Sequence, residues 1–416
     1  MRVLYVTGSC LLKNTSANMS HNSYVQGLLE NGCDVDIVMP DTSWGEHDQK
    51  LPMWSNAKYS IYGAESFADK LKRTVKKVEN SNVAEQTAVQ QVKVQKQTVK
   101  AKIRSFAKQA FYILFPQDPL YPLNKTWLKN ASRFSAKEEY DLVVSNSSPA
   151  ASHALVIELL KNKRISCKRW VQIWEDPWCF DLYGKGEQII FDEEHRLLQA
   201  ATEILYVSPL TLMYQKRYFP DCAEKMSFIP LPALHYEDEA VKTDDSVSFG
   251  YFGDYYSYTR NLQPFYDALV SCKAKGYIYG DTDLNLERSD LVEVSGRVTL
   301  DKLAKVQAQT DVLVHLCNLR GGQIPGKIYH YSVTDKPILF ILDGTAEEQN
   351  MIKDFFAPYN RYVFCDNTAE SIGSAVKALM ETDGSQKMKP IEAFEPKQVV
   401  KQLLSDDRCE ELTCVD

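Results

Sequence analysis

The fold is decided by the stretch Gly321-Gly-Gln-Ile-Pro-Gly-Lys-Ile-Tyr-His-Tyr331, in which a glycine-rich loop leads into a helix that carries an early lysine. One apolar run begins before it at Asp311 and another begins after it at Lys336, so we predict strand, loop, helix and strand in that order. Glycine lets the backbone approach a ligand, Pro325 suits the first position of a helix, and Lys327 adds charge to a helix N-terminus that attracts anions. In such α/β units ligands bind at the carboxyl ends of the strands. The alternative is an ordinary connecting loop whose glycines only form turns.

Length and composition indicate a folded protein with more than one domain. The chain has 416 residues, of which 44% are hydrophobic and 25% charged, and at roughly 150 residues per domain it holds two or three. The formal net charge of -7 argues against general affinity for nucleic acid, which favours basic domains.

The cysteines form no C-x-x-C pair and no zinc-type spacing, so we expect reduced thiols. We find no secretory signal and no apolar run near the roughly 20 residues of a membrane span. These features predict a cytoplasmic protein.

Two series of strand and helix patterns follow each other along the chain, as in parallel α/β layers. The first series predicts strands at Val3–Val6, Asp34–Met39, Asp141–Ser145, Trp170–Trp174 and Glu203–Val207, and helices at Ser20–Asn31, Ala150–Lys163 and Phe191–Ala201. The second predicts strands at Val247–Phe252, Gly276–Tyr279, Leu291–Val294, Asp311–His315, Ile338–Leu342 and Tyr362–Phe364. The polar stretch Glu237–Asp245 separates the two. We therefore predict two doubly wound, Rossmann-like α/β domains over residues 1–240 and 241–395, followed by a C-terminal helix and tail over residues 396–416.

A basic segment interrupts the first predicted domain, within an insertion over about residues 65–115. The stretch Lys70–Lys108 contains eleven Lys or Arg and two Glu, a local charge of +9. Apolar residues recur at spacings of three, four and seven from Val89 to Ile113, which predicts an amphipathic helix. A basic amphipathic helix binds anionic lipid, so we expect peripheral contact with the inner face of the cell membrane. The alternative is a solvated helix that packs its apolar stripe on its own domain.

The second series contains three passages in a fixed order. Phe249-Gly-Tyr-Phe-Gly253 is followed by Thr259-Arg-Asn-Leu262, then Val294-Ser-Gly-Arg-Val298 by Thr310-Asp-Val-Leu-Val314, and the last passage is Gln323–Pro337. These passages resemble the nucleotide-sugar-binding domain of GT-B fold glycosyltransferases, particularly the large retaining family 4. The resemblance implies a donor site in this half of the chain.

The first series carries a weaker resemblance of its own. Tyr140-Asp-Leu-Val-Val-Ser-Asn-Ser-Ser-Pro149 and Trp170-Val-Gln-Ile-Trp-Glu-Asp-Pro-Trp178 are similar to the acceptor domain of bacterial-type family members that build cell-surface polysaccharides. The two resemblances together imply the GT-B fold, in which two Rossmann-like domains face each other across a cleft. They also imply that the helix after Phe394 packs back toward the first domain.

The donor site that the resemblance implies has nine residues: Gly8, Ser9, Gly253, Arg260, Gly322, Ile324, Pro325, Lys327 and His330. Arg260 can hold phosphate with two parallel donors and Lys327 acts as a mobile point charge, so both can stabilise a nucleoside diphosphate as it leaves. His330 departs from the family, because many relatives have a ribose-binding Glu there. An imidazole can still exchange one hydrogen bond with a hydroxyl, and a packing role is the alternative.

The predicted acceptor residues are Glu175, Asp176 and Trp178. Carboxylates hydrogen-bond to sugar hydroxyls and indoles stack on sugar faces. The alternative is that the tryptophans pack in the core and that Asp176 caps a turn before Pro177. Asp176 joins Arg260 and Lys327 as the third predicted catalytic residue.

The function implied by the resemblance is a retaining, metal-independent transferase of the hexosyltransferase class. It moves a sugar from a nucleoside diphosphate sugar to a cell-surface glycan or a lipid-linked acceptor, with no cofactor beyond this co-substrate and no bound metal. We interpret Asp281-Thr-Asp283 as a turn rather than a metal-binding D-x-D motif. Motifs of serine hydrolases, P-loop NTPases, zinc proteases and dinucleotide enzymes are missing from the sequence. Two alternatives remain, a nucleotide-sugar epimerase of the same fold and a non-catalytic sugar-binding protein derived from a transferase.

Overall fold

A computed structural model of the protein describes residues 1–13, 15–41, 48, 51–65, 120–121, 123–182, 186–233, 246–382 and 387–405. The predicted linker Glu237–Asp245, the basic segment Lys70–Lys108 and the end of the C-terminal tail lie outside the described residues. Among the described helices, none has the length and apolar character needed to cross a membrane.

The first half of the chain forms a parallel sheet of seven strands in the order β3-β2-β1-β4-β5-β6-β7. Its strands are β1 (Arg2–Thr7), β2 (Asp34–Pro40), β3 (Ala57–Tyr62), β4 (Tyr140–Asn146), β5 (Cys167–Trp174), β6 (Glu203–Tyr206) and β7 (Met226–Phe228). Its helices are α1 (Ser16–Glu30), α2 (Lys125–Ala131), α3 (Ala151–Lys161), α4 (Gln188–Ala200) and α5 (Pro209–Tyr218). Strands β1 and β4 are almost wholly buried, as parallel strands covered by helices on both faces must be.

The second half forms a parallel sheet of six strands in the order β10-β9-β8-β11-β12-β13. Its strands are β8 (Ser248–Phe252), β9 (Lys275–Tyr279), β10 (Val292–Ser295), β11 (Val312–Leu316), β12 (Ile338–Leu342) and β13 (Tyr362–Asp366). Its helices are α6 (Gln263–Cys272), α7 (Leu300–Gln309), α8 (Lys327–Ser332), α9 (Ala346–Phe356) and α10 (Ala369–Glu381), and α11 (Pro396–Leu404) ends the described chain. The prediction of a doubly wound α/β protein with two parallel sheets is confirmed.

The order of the strands reverses once in each sheet, between β1 and β4 in the first and between β8 and β11 in the second. Loops on either side of such a reversal diverge and leave a crevice at the carboxyl ends of the strands, where ligands bind in open α/β sheets. A ligand-binding site is therefore expected among the loops that follow Thr7, Asn146, Phe252 and Leu316.

The two halves share one apolar cluster. It joins Val207 and Leu231, which follow β6 and β7, to residues of α8 such as Tyr329. The Tyr329 hydroxyl also donates a hydrogen bond to the Val207 carbonyl at 3.0 Å. At the end of the chain, α11 packs on α1, and the Asn31 side chain donates to the Lys397 carbonyl at 2.9 Å. The loops of the two sheets are thus held against each other.

Candidate functional site

The glycine loop, residues 317–326, connects β11 to α8 at the reversal point of the second sheet. Gly321 and Gly322 have φ angles of +98° and +66°, a conformation that favours glycine. The helix starts at Lys327, after Gly326 as the N-cap residue, so Pro325 lies before the helix and not at its first position as predicted. With six residues, α8 is too short to develop much of a macrodipole. An anion would be held here by side chains more than by the helix terminus.

Lys327 lies at the carboxyl end of β8. Its ammonium donates a hydrogen bond to the Phe252 carbonyl, and a Cβ added to Gly253 would lie 4.0 Å from the Lys327 Nζ. Burial lowers the pKa of Lys327 to about 8; Asp254 opposes this shift, and the positive charge of Arg260 adds to it. An anion that binds beside such a partly desolvated cation stabilises its charged form.

Arg260 follows the same strand and approaches the same region. Burial lowers the pKa of His315 on β11 to about 3, with a smaller contribution from the positive charge of Arg260. The Arg260 Nε is buried and has no hydrogen-bond partner among the described residues. His330 lies one turn after Lys327 on α8, where residues three apart share a helix face. The structure therefore brings Gly253, Arg260 and Lys327 to one end of the second sheet, with His330 one turn further along α8.

Two glycine turns meet beside Lys327. A Cβ on Gly280 would lie 1.9 Å from the Gly253 carbonyl oxygen, so only glycine fits between β9 and β8 here. Asp254 accepts hydrogen bonds from the backbone N–H of Asp281 at 3.0 Å and from the Nε of Arg297 at 3.0 Å. This Asp254–Arg297 pair was not predicted, although its residues directly follow β8 and β10.

Two of the predicted acceptor residues line an aromatic pocket of about 290 Å³ at the carboxyl ends of β4 and β5, next to the reversal point of the first sheet. Asp176 and Trp178 line it, together with Trp174, Tyr121 and Ser147. The rings of Tyr121 and Trp178 are 5.4 Å apart, and the buried Ser147 hydroxyl has no hydrogen-bond partner among the described residues. Aromatic faces beside carboxylate and hydroxyl groups suit a ligand with apolar faces and polar edges.

Glu175 is separated from this pocket. Glu175 and Asp176 follow the end of β5, and Glu175 faces α1 instead of the pocket. Its carboxylate lies 3.2 Å from the His21 Nε2, and the other ring nitrogen of His21 is 2.8 Å from the Thr7 hydroxyl. His21 is fully buried. The Glu175–His21 pair was not predicted, because His21 lies on α1, far from Glu175 in the sequence.

Gly8 and Ser9 follow β1 as predicted, but their backbone N–H groups donate hydrogen bonds to side chains of the protein itself. The N–H of Gly8 donates to the Ser152 hydroxyl at 2.8 Å, and that of Ser9 donates to the Thr7 hydroxyl at 3.1 Å. A Cβ on Gly8 would lie 2.6 Å from Pro149, so the glycine allows close packing. In this conformation neither amide is free to bind a phosphate.

Gln323 connects the glycine loop to the aromatic pocket. Its side-chain amide donates to Asp176 and, at 2.9 Å, to Asp181. Burial raises the pKa of Asp176 to about 7; the Gln323 hydrogen bond lowers it, and the neighbouring Asp181 and Glu175 carboxylates raise it. No sequence pattern pointed to Gln323 or Asp181, because their pairing joins distant parts of the chain.

The remaining predicted donor residues have structural neighbours. The Gly322 carbonyl accepts hydrogen bonds from the hydroxyls of Ser208, at 3.2 Å, and Thr211, at 3.0 Å. The Ile324 side chain is buried in the apolar cluster that the two halves share. A donor contact from either residue would therefore have to use the remaining backbone groups of the glycine loop.

One group of possible metal ligands exists among the described residues. His195, Asp221 and Cys222 bring donor atoms within 4.8 Å of one another. The His195 Nε2 is 2.8 Å from an Asp221 carboxylate oxygen, so a hydrogen bond already accounts for that contact. None of the predicted site residues belongs to this group, and we assign no metal to it.

Neither a protein-family model nor a curated protein matches the sequence. Solved structures match over most of the chain. Sucrose-phosphate synthase from Thermosynechococcus elongatus has a TM-score of 0.51 at 11% identity, covering 92% of this chain and 91% of that one. A UDP-GlcNAc 2-epimerase from Methanocaldococcus jannaschii has a TM-score of 0.48 at 8% identity, covering 97% and 99%. A glycosyltransferase from Rickettsia africae has a TM-score of 0.48 at 10% identity, covering 96% and 93%.

The likeness to the synthase shows that this chain has the GT-B fold. The fold that the sequence resemblance implied is therefore confirmed. At 11% identity the likeness shows the fold alone, so the activity has to be argued from the residues of the site.

Proposed function

We propose that the protein is a glycosyltransferase that takes a sugar from a nucleoside diphosphate sugar and transfers it to a glycan or lipid-linked acceptor. The observation that carries the proposal is the approach of two cations, Lys327 and Arg260, to one glycine turn at the reversal point of the second sheet. The described residues include no salt bridge of either cation. An aromatic, acidic pocket lies at the carboxyl ends of β4 and β5 of the first sheet.

The two cations fit the leaving group of such a reaction. A nucleoside diphosphate gains negative charge as the glycosidic bond breaks, and cations already held in place stabilise that charge without reorganisation. Arg260 has a buried Nε without a partner in the described chain, and the Lys327 ammonium lies against the Gly253 turn. Because side chains supply this charge, we propose a metal-independent reaction. His330, on the face of α8 that carries Lys327, is our proposed ribose contact.

The aromatic pocket fits a sugar acceptor. Trp178 offers a ring face for stacking, and the carboxylate of Asp176 can accept a hydrogen bond from the attacking hydroxyl. We propose retention of configuration on the strength of the family resemblance, in which the donor phosphate itself takes the acceptor proton. An Asp176 that took this proton would instead favour inversion, so the stereochemistry of the product discriminates between the two roles.

The test is a transfer assay with a panel of nucleoside diphosphate sugars and lipid-linked or oligosaccharide acceptors, in the presence and absence of EDTA. We expect acceptor-dependent release of the nucleoside diphosphate that EDTA does not suppress, and a product whose anomeric configuration by NMR equals that of the donor. Conversion of one nucleotide sugar into its epimer without release would identify an epimerase. No turnover of any donor would support a non-catalytic protein.

The membrane part of the proposal concerns Lys70–Lys108, which lies outside the described residues. Its charge of +9 suits an anionic lipid surface. Replacing its lysines with glutamine should abolish sedimentation with vesicles of phosphatidylglycerol and leave sedimentation with phosphatidylcholine vesicles as low as before. Unchanged binding to the anionic vesicles would contradict the lipid contact.

A further inference from the structure

We propose that Gln323 is a positioning residue that couples the aromatic pocket to the glycine loop, so that filling the donor site orients the acceptor site. This inference rests on the proposed function and extends it, because it says how the two half-sites act together. Gln323 belongs to the second sheet by sequence, yet its side chain forms its hydrogen bonds with residues of the first.

On the pocket side, the whole Gln323 side-chain amide is engaged. The NH2 group donates to a carboxylate oxygen of Asp176 and to one of Asp181, and the carbonyl oxygen accepts from the backbone N–H of Leu182 at 3.0 Å. Hydrogen bonds to charged acceptors are about twice as strong as neutral ones. Gln323 therefore fixes the segment that follows β5, where the predicted acceptor residues lie.

On the loop side, hydrogen bonds also hold the backbone around Gln323 in place. Its own carbonyl accepts from the Asn318 side chain at 3.2 Å. The preceding Gly322 is bonded through its carbonyl to Ser208 and Thr211, and its left-handed φ restricts the position to glycine. Lys327 follows Gln323 by four residues. Because Gln323 and Lys327 belong to one short segment, an anion that binds at Lys327 acts on the same backbone that positions the Gln323 amide.

The geometry at Asp176 indicates that the coupling is positive, so that a ligand in one site strengthens binding in the other. Gln323 binds the Oδ1 atom of Asp176, which leaves the Oδ2 atom for a ligand in the pocket. When the loop is in place, the carboxylate is held in one orientation, and when the loop moves away, it is free to rotate. An anion that fixes the loop thus prepares the pocket, and by thermodynamic reciprocity a pocket ligand strengthens anion binding.

The test uses the pocket tryptophan as a reporter. UDP, GDP, ADP and TDP are titrated in turn into the full-length protein, with binding followed by calorimetry and pocket order by tryptophan fluorescence. We expect the nucleotide that binds to change the emission of the wild type, and the change to disappear in Trp178→Phe. In Gln323→Met, which keeps the side-chain length without polar atoms, the nucleotide should still bind while the emission change is lost.

Two controls keep the test specific. Gln188→Met removes a similar amide–carboxylate bond, the exposed one to Asp192 at 2.7 Å, and should respond like the wild type. Gln323→Glu places a third carboxylate against Asp176 and Asp181, so we expect the coupling to be lost at about pH 8 and to return at about pH 5, where protons held by Asp176 and by the introduced glutamate restore the hydrogen bonds between them, whereas the wild type responds at both pH values. Recovery within one variant excludes misfolding as the cause of the loss.

The outcomes separate the two proposals. If no nucleotide binds to the wild type, the proposed function fails and the coupling fails with it. If a nucleotide binds and the emission of Gln323→Met changes as much as that of the wild type, the function stands and the coupling is wrong. The same holds if nucleotide binding leaves wild-type emission unchanged.

Discussion

At the scale of single residues, Lys327 makes the most direct chemical prediction. Its pKa of about 8 means that only about half of the molecules carry the ammonium charge at pH 8. A bound diphosphate favours the charged form and raises this pKa, so binding at pH 8 should take up protons, up to about half a proton per molecule. Calorimetry in buffers with different ionisation enthalpies measures that uptake.

The matched control for Lys327 is Lys327→Arg, whose guanidinium is charged at every pH used. It should bind the same nucleotide at pH 8 with almost no proton uptake. An equal proton uptake by both proteins, or a release of protons by the wild type, would place the titrating group elsewhere.

Asp176 makes a prediction about stability. Its pKa is raised to about 7 by burial, well above that of an unfolded aspartate, so the folded state binds a proton more tightly than the unfolded state. This carboxyl therefore destabilises the wild type progressively as pH rises from about 4 to 7. In Asp176→Asn the amide can still accept from Gln323 but never ionises. Urea unfolding should show the variant more stable than the wild type by about 1–3 kcal/mol at pH 8 and by almost nothing at pH 4.5.

The exposed Asp192 carboxylate provides the comparison for this experiment, because Asp192→Asn also replaces an acid that is bonded to a glutamine amide. Its stability difference from the wild type should be small at both pH values. A gain for Asp176→Asn that was the same at pH 4.5 and pH 8 would contradict the assigned ionisation.

Residue types and spacing predicted part of the site. Arg260 and Lys327 were predictable because cations next to glycine turns after strands are typical of anion sites. Gln323 was not predictable, because its role depends on a contact with Asp176, which lies 147 residues earlier in the sequence. No local sequence pattern indicates such a contact. The engaged amides of Gly8 and Ser9 could not be foreseen either, because Ser152, the partner of Gly8, lies on α3.

At the scale of secondary-structure elements, the packing of α11 on α1 leads to a test at Gly27. A Cβ there would lie 2.3 Å from the Pro396 carbonyl oxygen, so the two helices touch through backbone atoms. Gly27→Ala should destabilise the protein by about 1–3 kcal/mol, the usual cost of overpacking, in urea unfolding. Gly373→Ala is the matched control, because this glycine of α10 has its nearest neighbour at 3.7 Å and should gain up to about 1 kcal/mol from helix propensity. Equal effects of the two substitutions would contradict the close contact of α1 and α11.

Strands were predicted well where burial on both faces makes them continuous apolar runs, and poorly where the strand is exposed or very short. The inner strands β1, β4, β8, β11 and β12 are apolar runs, and the predicted strands match them within two residues at either end. Strand β3 is a half-exposed edge strand with mixed residues and β7 has three residues, so neither stands out from the surrounding loops. Helix α8 starts after Pro325 because Gly326 takes the cap position.

At the scale of the whole molecule, the carboxyl ends of the strands of the two sheets lie close enough for the half-sites to contact each other. The glycine loop of the second sheet bonds directly to the segment after β5 of the first, through Gln323. Strand order alone predicts that each sheet has a crevice. How the two crevices meet depends on side chains such as Tyr329 and on the packing of α11, and the sequence does not specify these contacts in advance.

The measurement that tests the central claim most directly is calorimetric titration of UDP, GDP, ADP and TDP, with and without magnesium, into the wild type, Lys327→Ala and the exposed-lysine control Lys353→Ala. We predict that one nucleotide binds selectively without magnesium. Lys327→Ala should weaken it by roughly 10- to 100-fold, as expected when a charge-assisted hydrogen bond is lost, and Lys353→Ala should leave it unchanged. Failure of all four nucleotides to bind, or equal affinity in Lys327→Ala and the wild type, would contradict the account of this protein as a nucleotide-sugar-dependent transferase.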